Sequence, residues 1–472
     1  MTTFQLPDDL YPYQKEDLER LLSSTSNFLN LSEMGTGKTP VAIGLAMLGG
    51  YKKTLVVCPN SLQLEWRRQI RDWAGVEPEV SRKTSSWRRL QPLFADILGK
   101  SNGSPFFIIN YESFRTLKHR EVLKFYPFDL IILDEGHRLR NADTSQTRGM
   151  LDFLSSHPNS RLLVMTGSPI VNNPADLHTL LRMVNPERYG RFSKMEFIND
   201  YCYYWRTRYG IKVYGTKNLD VLRERTGAYT VRRTKKEVLP FLPDKFYRRT
   251  ILEMEPEQRD VYDQMENELW VLLDNGEPLW APNVLSLLTR LRQLNLEPAI
   301  LGVPAPSVKT NFIKEILEDT DEKFVIFSCF EKYIKYLQYT LPYKHIAITG
   351  DVPVEERSEL VRQFQEDDSV RLALGTTQCM GEGITLTAAS NVIMTDRWWS
   401  PAVNLQAEDR LHRIGAKSAV QVILPVNEDS IDESLDGILA GKMKFSTEFL
   451  NEKDVMQETL EDRRRRKRSE GA

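Results

Sequence analysis

The feature that most constrains this 472-residue chain is a series of short, apolar, strand-like runs that occurs twice. The first series is TLVVCP (54–59), FFIIN (106–110), LIILDE (130–135) and RLLVMTG (161–167). The second is KFVIFS (323–328), HIAITG (345–350), VRLALGT (370–376), NVIMTD (391–396) and VQVILPV (420–426). Runs without polar alternation are expected where both faces of a strand are covered, and the helix and turn signals between them mark crossover connections. The fold class predicted is therefore α/β with two parallel sheets, each on its own core, because the chain is too long for one. Between the two series, from about 174 to 310, no clear buried strand is visible and Tyr, Arg, Leu and Glu recur at helical spacing. This predicts helical insertions at about 174–230 and 251–306. Pro240, Pro243 and Asp244 break the pattern and place the hinge, giving domains over 1–243 and 244–445. Residues 446–472 are polar and charged and read as a helical or disordered tail.

Composition narrows the class further. No apolar run approaches membrane-spanning length, and the start, MTTFQLPDD, is not a charged-then-apolar leader, so a soluble, non-secreted, membrane-free protein is expected. Cys58, Cys202, Cys329 and Cys379 are far apart and lack zinc-ligand spacing, which fits a reducing cytoplasmic or nuclear setting. The formal charge of −2 gives no overall pull toward phosphate, so any nucleic-acid surface must be a local patch. The run Arg463 to Arg468 reads first as a solvated tail and second as a DNA-contacting or targeting element.

Three segments carry chemistry. EMGTGKTPVAIGLAML, Glu33 to Leu48, feeds a Gly-rich loop into an apolar helix. Such a loop can wrap a triphosphate: Gly35 and Gly37 let backbone N–H groups of Met34 to Thr39, Thr36 included, point inward, Lys38 reaches the β/γ oxygens, and Thr39 holds Mg²⁺. The strict pattern asks for Gly where Ser32 stands. Asp134 and Glu135 end a buried strand, where a Mg²⁺-linked carboxylate and a water-activating base belong. In QAEDRLHRIG, Arg410 and Arg413 are three residues apart, which puts them on one face of a helix; the competing reading is a surface helix salt-bridged through Glu408 and Asp409.

From about residue 10 to 435 these segments resemble, in family order, the SNF2-like DNA-translocating ATPases of helicase superfamily 2. LYPYQ (10–14) is similar to the family's adenine-reading element, with Gln14 as reader, and EMGTGKT to its first motif. VVCPNSLQLEW (56–66) and INYESF (109–114) are similar to its DNA-facing elements; DEGHRLRN (134–141) and TGSPIVNN (166–173) to motifs II and III. VRRTKKEVL (231–239), LRQLNLEP (291–298) and KFVIFSCF (323–330) resemble connecting signatures of this branch, and WWSPAVNLQAEDRLHRIG its final motif, with Arg410 and Arg413 at the arginine-finger positions.

The resemblance implies two RecA-like lobes with helical insertions, ATP and Mg²⁺ as cofactors, and movement along double-stranded DNA, with forked or branched DNA as a substrate and a monomer when free. It places nucleotide contacts at Gln14, Met34, Gly35, Thr36, Gly37, Lys38, Thr39, Gly383, Arg410 and Arg413, and DNA contacts at Ser61, Tyr111, Thr349 and Thr376. The location implied is the cytoplasm of a bacterium or virus-infected cell, or a nucleus. Departures are Met380 for a common Gly, Thr385 for a common Asn, Ala416 and Lys417 for a common Gln, and Gly136 before His137 where other helicases carry Ala. Thr385 with QAEDRLHRIG is closer to the fork-remodelling and annealing branch than to the chromatin-remodelling branch. Two other readings stay open: a strand-separating helicase on DNA or RNA, and an ATP-gated DNA-binding scaffold with little turnover.

Two aromatic runs are ambiguous. YCYYWRTRYG (201–210) mixes aromatic and basic residues, and reads first as packing of a small protruding bundle and second as a nucleic-acid contact. WWSP (398–401) reads as a packing wedge ahead of the arginine segment.

Overall fold

The structure is a computed structural model and describes residues 10–81, 93, 96, 103–167, 174–207, 210–273, 277–381 and 383–444. The basic run at 463–468, the tail beyond 446 and most of TGSPIVNN lie outside the described residues. The chain divides into two compact units, with the boundary between Pro240 and Phe241.

The first unit is built on seven strands: β1 (Phe28–Asn30), β2 (Thr54–Cys58), β3 (Glu79–Val80), β4 (Phe106–Asn110), β5 (Leu130–Leu133), β6 (Arg161–Met165) and β9 (Thr230–Val231). They form one sheet in the order β3-β4-β2-β5-β6-β1-β9, parallel throughout. β2, β4, β5 and β6 are buried along their whole length, as expected when helices cover both faces. Leu55, Val57, Ile131 and Leu133 point to one core, Val56, Cys58, Leu130 and Ile132 to the other. Because every strand runs the same way, the residues after β1, β5 and β6 emerge at one carboxyl edge. Ligands of open α/β sheets bind at that edge.

The second unit has a six-stranded parallel sheet, in the order β10-β17-β16-β13-β15-β14. Its strands are β10 (Lys245–Leu252), β13 (Phe324–Ser328), β14 (His345–Ile348), β15 (Leu372–Thr376), β16 (Asn391–Met394) and β17 (Val420–Asn427). The α/β class with two parallel-sheet lobes is thus as the strand runs require. β10 was invisible in the sequence because, as an edge strand, it is mostly exposed and carries no apolar run.

The insertions differ from a purely helical reading. Helices Pro174–Val184, Lys194–Tyr201 and Leu219–Thr226 frame an antiparallel hairpin, β7 (Cys202–Thr207) and β8 (Gly210–Thr216). In the second unit, helices Pro256–Glu268 and Val284–Leu296 frame another, β11 (Trp270–Leu272) and β12 (Pro278–Trp280). Aromatic-rich segments favour a strand when a partner strand is at hand, and here each hairpin supplies its own. Among the described residues, no helix is long and apolar enough to cross a membrane.

Candidate nucleotide site and arginine segment

The Gly-rich loop leaves β1 and ends at the helix Lys38–Leu48, with Gly35 and Gly37 at φ +78° and +73°. Left-handed backbone is what turns the N–H groups of such a loop inward. Lys38 Nζ donates to the carbonyl oxygens of Ser32 (2.8 Å) and Glu33 (2.9 Å), so its ammonium closes the loop on itself. Opposite stands Gly167, where a Cβ would lie 2.8 Å from Lys38 Nζ and 2.4 Å from Met34 Cγ. Glycine there keeps open the space into which the lysine faces. Thr39 follows on the helix, and the buried Thr36 donates its hydroxyl to Glu33 O at 2.8 Å.

Gln14 is buried against this loop. Its Nε2 donates to Thr36 O (3.2 Å) and Gly37 O (3.4 Å), while its Oε1 accepts from Tyr11 N at 2.9 Å; Tyr13 donates to Thr36 O at 2.8 Å. A Cβ on Gly37 would meet Gln14 Nε2 at 2.0 Å, so the close approach itself needs glycine. Ser32, the departure from the strict pattern, is explained by a partner: its Oγ accepts from Arg233 N at 3.1 Å. Arg233 in turn clasps Asp17 (2.7 Å) and Glu16 (3.0 Å) on the helix that carries Gln14. The segment 231–235 therefore braces the loop and the glutamine helix together, a role no local pattern announced.

After β5, Asp134 is fixed by two donors: Trp66 Nε1 reaches its Oδ2 at 2.8 Å and Glu135 N its Oδ1 at 2.9 Å. Burial first, then the Glu135 carboxylate, hold the Asp134 carboxyl above its ordinary range; the Trp66 bond and the nearby Lys38 charge pull it back. Glu135 sits at φ +53°, a left-handed conformation that costs a non-glycine residue about 1–2 kcal/mol. His137 Nδ1 lies 3.3 Å from Glu135 Oε2 and 3.2 Å from the hydroxyl of the buried Thr166, linking motif II to the start of motif III. Gly136 is also sterically required, since a Cβ there would sit 2.5 Å from Val164 Cγ1 on β6.

The residues present fit a magnesium nucleotide. Gly167 and the left-handed glycines leave a cradle that side chains would fill, a lysine faces it, and a carboxylate of raised pKa lies within reach of that lysine's charge. Asp134 and Thr39 supply oxygens of the kind Mg²⁺ takes.

Of the four residues expected at DNA, Tyr111 is a correction. Its ring is fully buried and its hydroxyl donates to Asp134 O at 2.6 Å, so it braces motif II from inside the lobe. Ser61 lies in the 3-10 turn Asn60–Leu62 after β2 and is partly exposed. Thr349 and Thr376 are buried side chains in the second lobe; Thr376 caps the short helix Thr377–Met380 by accepting from Cys379 N at 3.3 Å. Only their backbone surroundings are left for a phosphate.

Within the second lobe Arg410 and Arg413 do come together, by a different route from the one expected. The helix Pro401–Glu408 stops before them, so they do not share a helical face. Instead the following turns aim both guanidinium groups at Ile384 O, at 3.5 Å from Arg410 Nη1 and 3.4 Å from Arg413 Nη1, next to Gly383 at φ +75°. The neighbouring acids are held by β10. Lys245 Nζ takes Glu408 (3.0 Å) and Asp409 (3.4 Å), and Tyr247 donates to Glu408 Oε2 at 2.6 Å. His412 Nε2 lies 2.7 Å from Pro243 O, so β10 and the residue pair just before it fix the arginine segment at both ends.

Met380, another departure, is fully buried against Gly375, where a Cβ would lie 1.8 Å from its sulfur. Glycine on β15 makes room for methionine on the next turn. Trp399 of WWSP is a packing residue, as read: it is buried with the Arg292 guanidinium 4.7 Å from its ring. Arg292 also pairs with buried Asp396 (2.6 Å), which accepts from Ser328 Oγ (2.7 Å) and Cys329 N (2.9 Å). Signatures far apart in sequence are thus one buried polar network.

Comparison with known proteins agrees with this anatomy. The family profile described as SNF2-related domain matches residues 13–300, and that of the helicase conserved C-terminal domain matches 308–415. DNA annealing helicase and endonuclease ZRANB3 of Mus musculus is 28% identical over 97% of this chain and 43% of its own length. SWI/SNF-related matrix-associated actin-dependent regulator of chromatin subfamily A-like protein 1 of Xenopus tropicalis is 27% identical over 93% of this chain and 45% of its own. An uncharacterized ATP-dependent helicase of Mycoplasma pneumoniae is 26% identical over 93% and 42%. The chain spans less than half the length of these relatives. Among solved structures, the Sulfolobus solfataricus SWI2/SNF2 ATPase core in complex with dsDNA is 24% identical over 97% of both chains, with a TM-score of 0.44. With more than half of its length matched by the first of these profiles, the chain belongs to the SNF2-related family.

Proposed function

We propose that this chain is an ATP-dependent translocase that hydrolyses ATP to move along double-stranded DNA and so remodels DNA structures or protein–DNA complexes. The observation that carries the reading is the joint placement of Lys38, Asp134, Glu135 and Gly167 at one carboxyl edge of the first sheet. Lys38 leaves the Ser32 and Glu33 carbonyls and takes the β/γ oxygens in their place. Gln14, Met34, Gly35, Thr36 and Gly37 shape the loop around the polyphosphate. Glu135, turned into position by its left-handed backbone and steadied by His137, orients and deprotonates the attacking water. Thr39 and Asp134 would hold Mg²⁺, which would supply neutralisation of the phosphate charge. Arg410 and Arg413, with Gly383 beside them, supply the positive charge that a phosphoryl-transfer transition state requires.

DNA is gripped through backbone phosphates around Ser61 in the first lobe and around Thr349 and Thr376 in the second, positioning it without reading its sequence. The name of the relative ZRANB3, a DNA annealing helicase and endonuclease, supports DNA as the substrate and annealing as an outcome. A monomer acting in the cytoplasm or nucleus completes the reading. The test is ATP hydrolysis with single-stranded, duplex and forked DNA in parallel, with Lys38→Ala and Glu135→Gln as controls. Displacement of a third strand from a triplex reports movement. Stimulation by duplex-containing DNA with triplex displacement supports the reading; hydrolysis indifferent to DNA removes it.

A further inference from the structure

We propose that Gln365 is a positioning residue for ATP hydrolysis, because it clamps the loop of the second lobe on which the Arg410 and Arg413 guanidinium groups converge. This rests on the reading in which those arginines act on ATP.

The loop depends on specific contacts for its shape. Residues 384–390 lie between the short helix Thr377–Met380 and β16 and belong to no helix or strand. Leu386 and Ala389 are buried in one core cluster with Leu411, which holds the middle of the loop down. Thr387 is partly exposed and Ala388 exposed. The loop also meets the arginine segment at three points. Leu386 N donates to Arg410 O at 3.0 Å. Arg410 Nη1 and Arg413 Nη1 both reach Ile384 O. A Cβ on Gly415 would lie 3.8 Å from Thr387 Oγ1, so the end of the segment runs beside that hydroxyl. A shift of the loop therefore moves the carbonyl that sets where both guanidinium groups point.

Gln365 approaches this loop from the last turn of the helix Val354–Glu366. Phe364, next to it, is fully buried in the cluster that holds Leu386, which ties the helix end to the base of the loop. The Gln365 amide is used at both ends: Oε1 accepts from Ala388 N at 2.7 Å, and Nε2 donates to Thr387 Oγ1 at 3.1 Å. Gln363, two residues earlier, bonds instead within its own helix, to Glu359 Oε1 at 3.2 Å. Ordering a long, partly exposed glutamine costs rotamer entropy, and water is an alternative partner for both of its polar atoms. Two bonds to adjacent residues of one turn offset that cost together, and one of them satisfies a backbone N–H of an irregular segment. Gln365 lies outside the segments that resemble family motifs.

Gln365→Met keeps the length and helix propensity of the side chain and removes both bonds. The test is single-turnover hydrolysis on duplex DNA across ATP concentrations, with amide hydrogen exchange over residues 384–389 in the nucleotide-free protein. The variant is expected to lose roughly tenfold in maximal rate, the factor that two ordinary hydrogen bonds can carry, and to exchange faster in the loop. Half-saturating ATP and nucleotide affinity should stay as in wild type, which a general folding defect would not preserve. Thr387→Val removes one of the two bonds, so its loss should be smaller and should add nothing to that of Gln365→Met. A wild-type maximal rate in Gln365→Met, a defect confined to half-saturating ATP, unchanged loop exchange, or additive losses in the double variant would each overturn the proposal. Arg410→Ala and Arg413→Ala in parallel separate the two claims. If both hydrolyse as wild type, the reading of the arginines fails and the proposal falls with it; if either is slow while Gln365→Met is not, the proposal fails alone.

Discussion

Trp66→Phe isolates one hydrogen bond to the carboxylate expected to hold Mg²⁺. Trp66 is buried, and its Nε1 donates to Asp134 Oδ2 at 2.8 Å. Phenylalanine keeps an aromatic ring on the same helix and deletes the donor. A hydrogen bond to a charged group contributes about 1.5–3 kcal/mol, which at about 1.4 kcal/mol per decade is roughly 10- to 150-fold in an equilibrium constant. Bound metal takes up part of the carboxylate's charge, so the lower end applies: half-saturating Mg²⁺ for ATP hydrolysis should rise about tenfold. The assay is steady-state hydrolysis across a Mg²⁺ titration, with binding of a fluorescent nucleotide in chelator alongside. Metal-free nucleotide affinity should be unchanged, and excess Mg²⁺ should restore the rate. A Mg²⁺ curve superimposable on wild type would refute the claim that Trp66 positions Asp134, and a defect that no Mg²⁺ concentration rescues would trace the loss to packing.

Gly136→Ala puts a methyl group 2.5 Å from Val164 Cγ1 and should cost about 1–3 kcal/mol in urea unfolding, even though alanine is the residue other helicases carry. Met380→Gly, which restores the common family residue, should cost at least about 2 kcal/mol, because it empties a fully buried site beside Gly375. Arg233→Met should destabilise most at neutral pH. Burial already raises Asp17 above 3.8, and Arg233 opposes that rise. Without the arginine the folded pKa climbs further, so stability is lost as pH rises from the unfolded value through the folded one. Urea midpoints should therefore show a deficit at pH 7 that shrinks as pH falls toward 3.8.

What the chain's sequence discloses is whatever its own local order determines. The two sheets were legible because parallel strands covered on both faces have to be continuous apolar runs, as β2, β4, β5 and β6 are. The loop at Gly35–Lys38 and the pair Asp134–Glu135 were legible because their chemistry is contiguous. The Trp66–Asp134 bond was not, since it depends on β2 and β5 lying side by side, a fact of strand order. Arg233 was hidden for the same reason: β9 joins the sheet beside β1 from some 200 residues away. Local order also misled. The three-residue spacing of Arg410 and Arg413 suggested a helix face, but the helix ends at Glu408, where Lys245 holds Glu408 and Asp409 and the turns beyond carry the arginines back toward Ile384. Tyr203 and Trp205 were expected inside a helical bundle, yet the pairing of β7 with β8 turned both outward.

The most consequential proposal is that Arg410 and Arg413 supply positive charge to ATP hydrolysis. Single-turnover ATP hydrolysis on duplex DNA by Arg410→Ala and Arg413→Ala, beside their nucleotide affinities, addresses it most directly. The account predicts retained nucleotide binding and a hydrolysis rate lower by on the order of 10³ or more in at least one variant. Hydrolysis at the wild-type rate in both would contradict it.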